Sequence, residues 1–325
     1  MTNSTAPFKD RSAWLIVFGI LEILAGVLNA LFMMLIICGL LFNAQKSGMP
    51  INSNMLIVTL AIYSGLTVTL VWLGIGSIKA QRWARALLLI LAWCVLIMGI
   101  LTVGSLLWML LQSPLKLGPV GGIIIAIQAT IFFIIPAIGV WFYGDRHVKA
   151  TCEARNPAPS WTDACPLPVL ASCLFIILGV MTLVPVAFVR PAFPFFGQIL
   201  IGISATVLFL ALSVLWLYSA WKMYRLTVSG WWLSFACVLF FGVSGTLTFI
   251  CHDTMEFNRA AGYTGQQLAQ LEQGLQHFGG NQILWFTIGS SVLWLGYLLW
   301  IKKYFPAKST ADGDATLSAP ASQGK

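Results

Sequence analysis

Charge is what this 325-residue sequence has least of: Asp, Glu, Lys and Arg together make up 9% of it. A soluble domain carries roughly 25% charged residues to cover its surface. This chain cannot clothe itself in polar groups, so lipid is its solvent. Other absences narrow the chemistry. There is no Walker A loop, no HExxH and no CxxCH, so ATPase, metalloprotease and haem-enzyme readings lose their main signals. No apolar run has a central Lys, Arg or His, which leaves no imidazole to ligate haem or quinone inside a membrane. The seven Cys show no disulfide spacing. Cys38, Cys94, Cys173 and Cys237 fall within apolar runs, where Cys packs as a small hydrophobe. No cofactor and no metal is implied.

What the sequence does have is apolar length. Hydrophobic residues make up 59%, with 14 Trp, a residue that anchors helices at membrane interfaces. Eight runs approach or exceed the roughly 20 residues that a spanning helix needs. They cover residues 12–42, 55–78, 86–111, 120–143, 167–189, 197–221, 228–250 and 282–301. Lipid offers no water to unsatisfied backbone groups, so each run is expected to be a helix. Barrel strands would alternate and need only about ten residues. The first run is also far longer than the roughly 7–15 residues of a cleavable signal's core. The expected fold is all-α, a polytopic bundle of about eight spans.

The net charge of +8 would raise nucleic-acid binding in a soluble protein. Here the cations flank the spans, so the partner they imply is the bilayer and not nucleic acid. With the N-terminus inside, 14 Lys and Arg fall on inner segments and four, Lys46, Lys116, Arg190 and Arg259, on outer ones. That bias places both termini in the cytoplasm. The halves look alike. Lys79-x-x-Arg82 after the second run recurs as Lys222-x-x-Arg225 after the sixth, and Gly19 and Gly26 are matched in spacing by Ser172 and Gly179. The expected organisation is a four-helix repeat over 1–150, a linker over 151–166, a second parallel repeat over 167–305 and a disordered tail over 306–325.

Glu22 is the only acidic residue inside any run. It lies ten residues past Ser12, roughly 15 Å in at 1.5 Å per residue, which points to the bilayer midplane. A charge there costs about 3 kcal/mol on insertion scales. Glu22 therefore either carries a proton or faces polar groups. The functional reading is a proton or cation site. The structural reading is an interhelical hydrogen bond, with Asn29 or Gln128 as the expected partner. Gly19 and Gly26 flank Glu22's face and would let another helix approach closely. A transport site would draw further polar lining from residues such as Ser204, Thr206, Ser244 and Thr246.

Outside the runs, Cys251-His252-Asp253 opens the largest outer loop, with Glu256 close by. A thiol beside an imidazole can be nucleophilic, and His with carboxylates can bind metal. Adjacent residues on a helix diverge, so the more ordinary reading is a loop emerging into water. Thr264 with Gln267 matches a capping box, and Leu268, Leu271 and Leu275 follow at helical spacing, which predicts a short amphipathic helix on the interface. In the inner linker, His147, Cys152 and Cys165 lack the close Cys pairs of zinc sites. Pro136 is expected to kink the fourth run.

The stretch Gly76 to Arg85, with Arg82-Trp83-Ala84-Arg85, resembles a motif recurring in uncharacterised bacterial polytopic membrane proteins. The segment from Tyr143 to Pro168, with Val148-Lys149 and Cys165-Pro166-Leu167-Pro168, is similar to such proteins too. The resemblance marks helix boundaries and implies a bacterial inner membrane, but no activity. The sole sequon, Asn3-Ser4-Thr5, falls on the inner side, in keeping with that location. The sequence thus supports a non-enzymatic membrane component first. A small-molecule or proton-coupled transporter with a site near Glu22, between the halves, comes second, and an outer-face enzyme using Cys251, His252 and Asp253 third.

Overall fold

A computed structural model of the chain describes residues 9–47, 53–112, 119–189, 191–263, 265–276 and 282–305. Eight of its helices are long and apolar enough to cross a membrane. The chain is an all-α, multi-pass integral membrane protein. Its contacts divide it into two compact units, the first mainly Met1–Leu167 and the second mainly Pro168 onward.

The first unit contains α1 (Ser12–Ser47), α2 (Ser53–Ile78), α3 (Arg82–Gln112), α4 (Pro119–Ala129), α5 (Ile135–Gly144) and α6 (Arg146–Arg155). Gly19 and Gly74 bring the backbones of α1 and α2 together. A Cβ on Gly19 would sit 2.7 Å from the Gly74 carbonyl oxygen, and one on Gly74 would sit 2.6 Å from that of Gly19. Lipid gives apolar helices no reason to associate by hydrophobicity, so such small-residue contacts carry the packing. Asn29 adds a polar tie, its Nδ2 donating to the Tyr63 carbonyl at 3.0 Å and to Thr67 Oγ1 at 2.8 Å. Helix α3 begins at Arg82, four residues before the apolar run, so Arg82 and Arg85 form its first turn. The sequence reading started that span at 86 because hydropathy ignores a basic turn that still hydrogen-bonds as helix.

Between α4 and α5 the helix widens into a π turn, Thr130–Ile134, where the Ile135 N–H reaches back to the Thr130 carbonyl. The cause is Pro136, which has no N–H for the Phe132 carbonyl and would clash with it in a regular helix. The Phe132 carbonyl instead lies against Gly99 of α3, where any Cβ would collide with it. The proline is thus accommodated by a local π insertion, a common site of such turns being a strained or functional helix.

The second unit contains α7 (Leu167–Val189), a hairpin of β1 (Ala192–Phe195) and β2 (Gln198–Ile201), α8 (Ile203–Tyr224), α9 (Val228–Cys251), α10 (Thr254–Ala260), α11 (Gly265–Gln276) and α12 (Gln282–Ile301). Cys173 Sγ donates to the Ala220 carbonyl, Trp231 Nε1 to that of Leu298 and Tyr297 Oη to that of Pro168. These bonds tie α7 to α8, α9 to α12 and α12 to α7. The hairpin corrects the expected sixth span, which starts at Ile203 and not at 197. Phe195 pairs with Gln198 across a two-residue turn in which Phe196 and Gly197 both have positive φ, 43° and 87°. That is the geometry whose twist matches paired strands. Phe193 is fully buried among Ala187, Ala205 and Phe209.

The turns after α2 and α8 share one hydrogen-bond pattern, with a residue of positive φ, Ala80 or Leu226, at its centre. The pattern matches Lys79 with Arg225 and Gly76 with Lys222. The two Lys-x-x-Arg pairs therefore occupy different positions of the same turn, and they are not what makes the turns alike.

Candidate functional site

The candidate site of the first unit is built on Glu22. Tyr143 Oη donates to Glu22 Oε1 at 2.7 Å, and lies 3.1 Å from Ser77 Oγ. Ser77 Oγ in turn donates to the Leu15 carbonyl at 3.1 Å. Four groups from α1, α2 and α5 thus form one chain. Leu15 lies in the first turn of α1, and Ser77 and Tyr143 are each next to last in their helices. Helix α1 runs 36 residues, so Glu22 falls in its first third. The network belongs to the end of the unit that carries the basic residues, and not to the middle of the spans. Tyr143 is fixed by its neighbours: Phe18 stacks on Phe142 at 4.0 Å, and the Tyr143 ring packs edge-on against both.

The two partners expected for Glu22 do not join it. Asn29 turns to α2, as described above, and half-buried Gln128 of α4 enters none of these bonds. Sequence reasoning missed Tyr143 and Ser77. The signal available was weak: a Tyr and a Ser at helix ends, where hydroxyls are ordinary. Glu22 Oε2 is buried and has no partner among the described residues.

Around this network the segment after α5 closes the basic end of the unit. Asp145 caps α6 by accepting from the His147 N–H at 3.1 Å. Thr151 Oγ1 accepts from the Arg11 N–H, and Asn156 Nδ2 donates to the Ala80 carbonyl. Val148 and Cys152 are buried with Leu15 and Tyr143. Burial pushes the Cys152 thiol, and separately the Cys165 thiol, up to about 11. Burial thus disfavours the thiolate at both positions. Among the described residues no group of His, Cys, Asp and Glu is placed to hold a metal ion.

The second candidate cluster lies where α9 ends. Cys251 is its last residue and is exposed. His252 Nδ1 pairs with Glu256 Oε2 at 2.9 Å, and its Nε2 lies 3.2 Å from the Gly197 carbonyl oxygen. Asp253 Oδ1 accepts from the Glu256 N–H at 2.7 Å, capping α10. His252 and Asp253 have separate tasks, and the Cys251 thiol enters neither bond. His252 is a clamp from α10 to the hairpin tip, which is also held by Ser244 and Thr248. Ser244 Oγ donates to the Pro194 carbonyl at 2.6 Å, and the Gly197 N–H donates to Thr248 Oγ1 at 3.1 Å. The predicted amphipathic helix is present as α11, Gly265–Gln276. Thr264 of its expected capping box lies outside the described residues.

Both His252 nitrogens face acceptors, so the imidazolium is the form that donates to both. Its hydrogen bond to Glu256 holds the imidazole above its ordinary value of 6.5. A raised folded-state value means that the clamp contributes fully below 6.5 and is lost as pH rises through the higher folded value. The thermal midpoint is therefore expected to fall as pH rises above the ordinary histidine range, and His252→Gln to flatten that fall. An unchanged slope in the variant sinks the clamp.

No protein-family model matches the chain, and neither a curated protein nor a solved structure is similar to it. What the fold defines is the class: a multi-pass helical membrane protein with one acidic side chain inside its spans.

Proposed function

We propose that this chain is a non-enzymatic membrane component whose role is packing and, through it, partner binding. Bacterial inner membrane, cytoplasmic termini and a four-plus-four repeat are parts of the same proposal. They are supported by the helix-boundary resemblance, by the Lys and Arg bias and by the four spans in each half. The observation that carries the functional reading is where the Glu22 chain ends. It runs through Tyr143 and Ser77 to a backbone carbonyl, which accepts a hydrogen bond and passes no proton on. Tyr143 spends its hydrogen on Glu22 and Ser77 spends its own on the Leu15 carbonyl, so both ends of the chain are tied and the network acts as an interhelical lock. Of the residues expected to line a transport site, Ser204, Thr206 and Ser244 donate to the nearby carbonyls of Ile201, Ala187 and Pro194.

The second reading, proton-coupled transport, draws on one specific observation, the unpartnered Oε2 of Glu22. The test is Glu22→Gln beside Glu22→Leu, read by thermal stability and by proton flux in liposomes. The lock predicts that the Gln variant, whose amide oxygen still accepts from Tyr143, keeps its midpoint. The Leu variant loses stability, and no form conducts. Flux in the native protein that disappears in a stable Gln variant replaces the lock with the transporter.

A further inference from the structure

The basic end of the second unit differs from that of the first in what its cations face. In the first unit four of the eight cations at this end, Arg11, Arg82, Lys149 and Arg155, pair with Asp145, Asp163, Glu153 and Asp10. In the second, Lys222, Arg225, Lys302 and Lys303 have no acidic partner among the described residues. The acids of that unit's described part, Asp253, Glu256 and Glu272, all follow α9 at its opposite end. The four cations lie on rings instead. The Arg225 guanidinium stands 4.2 Å from the Trp221 centroid, and Lys303 Nζ stands 4.8 Å from that of Trp300. Lys302 Nζ faces both Trp231 and Trp232, at 5.0 and 5.4 Å.

The start of α9 brings the two cation pairs together. Gly230 packs on the Lys222 backbone, where a Cβ would come within 2.6 Å. The next residue, Trp231, carries Lys302 on its ring and donates to the Leu298 carbonyl. The outer rings of this cluster are turned outward: Trp221, Trp232 and Trp300 are each about half exposed.

We propose that this end of the second unit binds an anionic phospholipid headgroup between the α8 pair, Lys222 and Arg225, and the α12 pair, Lys302 and Lys303. A topology signal alone requires cations on one side of the membrane. It does not require that they lack acids and rest on exposed tryptophans. A ring under a cation leaves the remaining N–H groups free for phosphate oxygens. Tryptophan favours the headgroup level, and basic pockets between spans hold acidic headgroups. A lipid, and not free phosphate, is the occupant because its chains reside in the same phase as the spans and hold the headgroup at the level of these rings.

The test is native mass spectrometry of the full chain from mixed micelles of phosphatidylglycerol and phosphatidylcholine at equal concentration. The native protein is expected to retain phosphatidylglycerol at least fivefold over phosphatidylcholine, with the preference falling as salt rises. Arg225→Gln with Lys302→Gln should reduce that preference to near unity, while Arg146→Gln with Lys149→Gln in the first unit leaves it. Lys303→Gln alone, a milder change at an exposed position, should halve it and serves if the double variant fails to fold. Equal retention of the two lipids overturns the proposal, as does a preference that Lys303→Gln leaves intact or that the first-unit variant abolishes equally. Displacement of the lipid by inorganic phosphate at matched concentration would make this a small-anion site and also overturn it.

Discussion

Gly74→Val is expected to be among the most destabilising single substitutions in the first unit. The smallest possible side chain at position 74 would place its Cβ 2.6 Å from the Gly19 carbonyl oxygen and 2.7 Å from Ile23 Cγ1. The first obstacle is backbone, so no rotamer change relieves it, and valine adds two methyl groups to the conflict. The helices must part. Overpacking of this kind costs about 1–3 kcal/mol where neighbours can yield, and more where they cannot. Parting α1 from α2 also lengthens the bonds from Asn29 to Tyr63 and Thr67, and the bond from Ser77 to the Leu15 carbonyl. The loss should therefore reach the upper end of that range. The comparison is Gly39→Ala in α1 and Gly65→Ala in α2, where an added Cβ meets nothing within 4 Å. Those changes should be neutral, or stabilising by up to about 1 kcal/mol through helix propensity. Thermal or denaturant unfolding in micelles measures all three. A Gly74→Val midpoint equal to that of Gly65→Ala would show that the close approach does not hold the pair together.

Gly19 and Gly26 announced a close neighbour from the sequence, but not which one. Every spanning helix is apolar on most sides, so no polar face marks which side meets a neighbour and which meets lipid. The same limit explains Glu22. Its rarity made it the residue to watch, and its depth along α1 could be counted. Its partner could not, because Tyr143 lies 121 residues away and reaches it only through the tertiary arrangement. Asn29, two turns further along α1, seemed better placed, yet its rotation aims it at α2. The spans themselves were legible because lipid demands length: α7 and α12 have the bounds that composition alone assigns. The hairpin was not legible, since Gly197 to Ile201 is apolar enough to pass for the start of a helix. Pro191 and Pro194, with Gly197 after two phenylalanines, were the available warning. Hydropathy gives those residues no weight as breakers.

Tyr143→Phe removes one oxygen and leaves the ring on Phe18 and Phe142. It is expected to destabilise the protein by about 1–2 kcal/mol, above the roughly 0.6 kcal/mol average for interhelical hydrogen bonds in membranes. The reason for the larger figure is what remains. Among the described residues Glu22 Oε2 already has no partner, and without the phenol Oε1 has none either. A buried polar group left unsatisfied costs more than the bond it lost. Ser77→Ala should cost less, because Tyr143 keeps Glu22 and the Leu15 carbonyl, inside α1, keeps its helical acceptor role. The decisive measurement is a double-mutant cycle between Glu22→Leu and Tyr143→Phe. With Glu22 gone, the phenol has lost the group it served, so the second change should cost little, and the two losses should fall short of their sum by at least about 0.5 kcal/mol. Such non-additivity belongs to a lock across α1 and α5. Losses that add in full would mean that Glu22 and Tyr143 act independently, and the network would then hold no helices together.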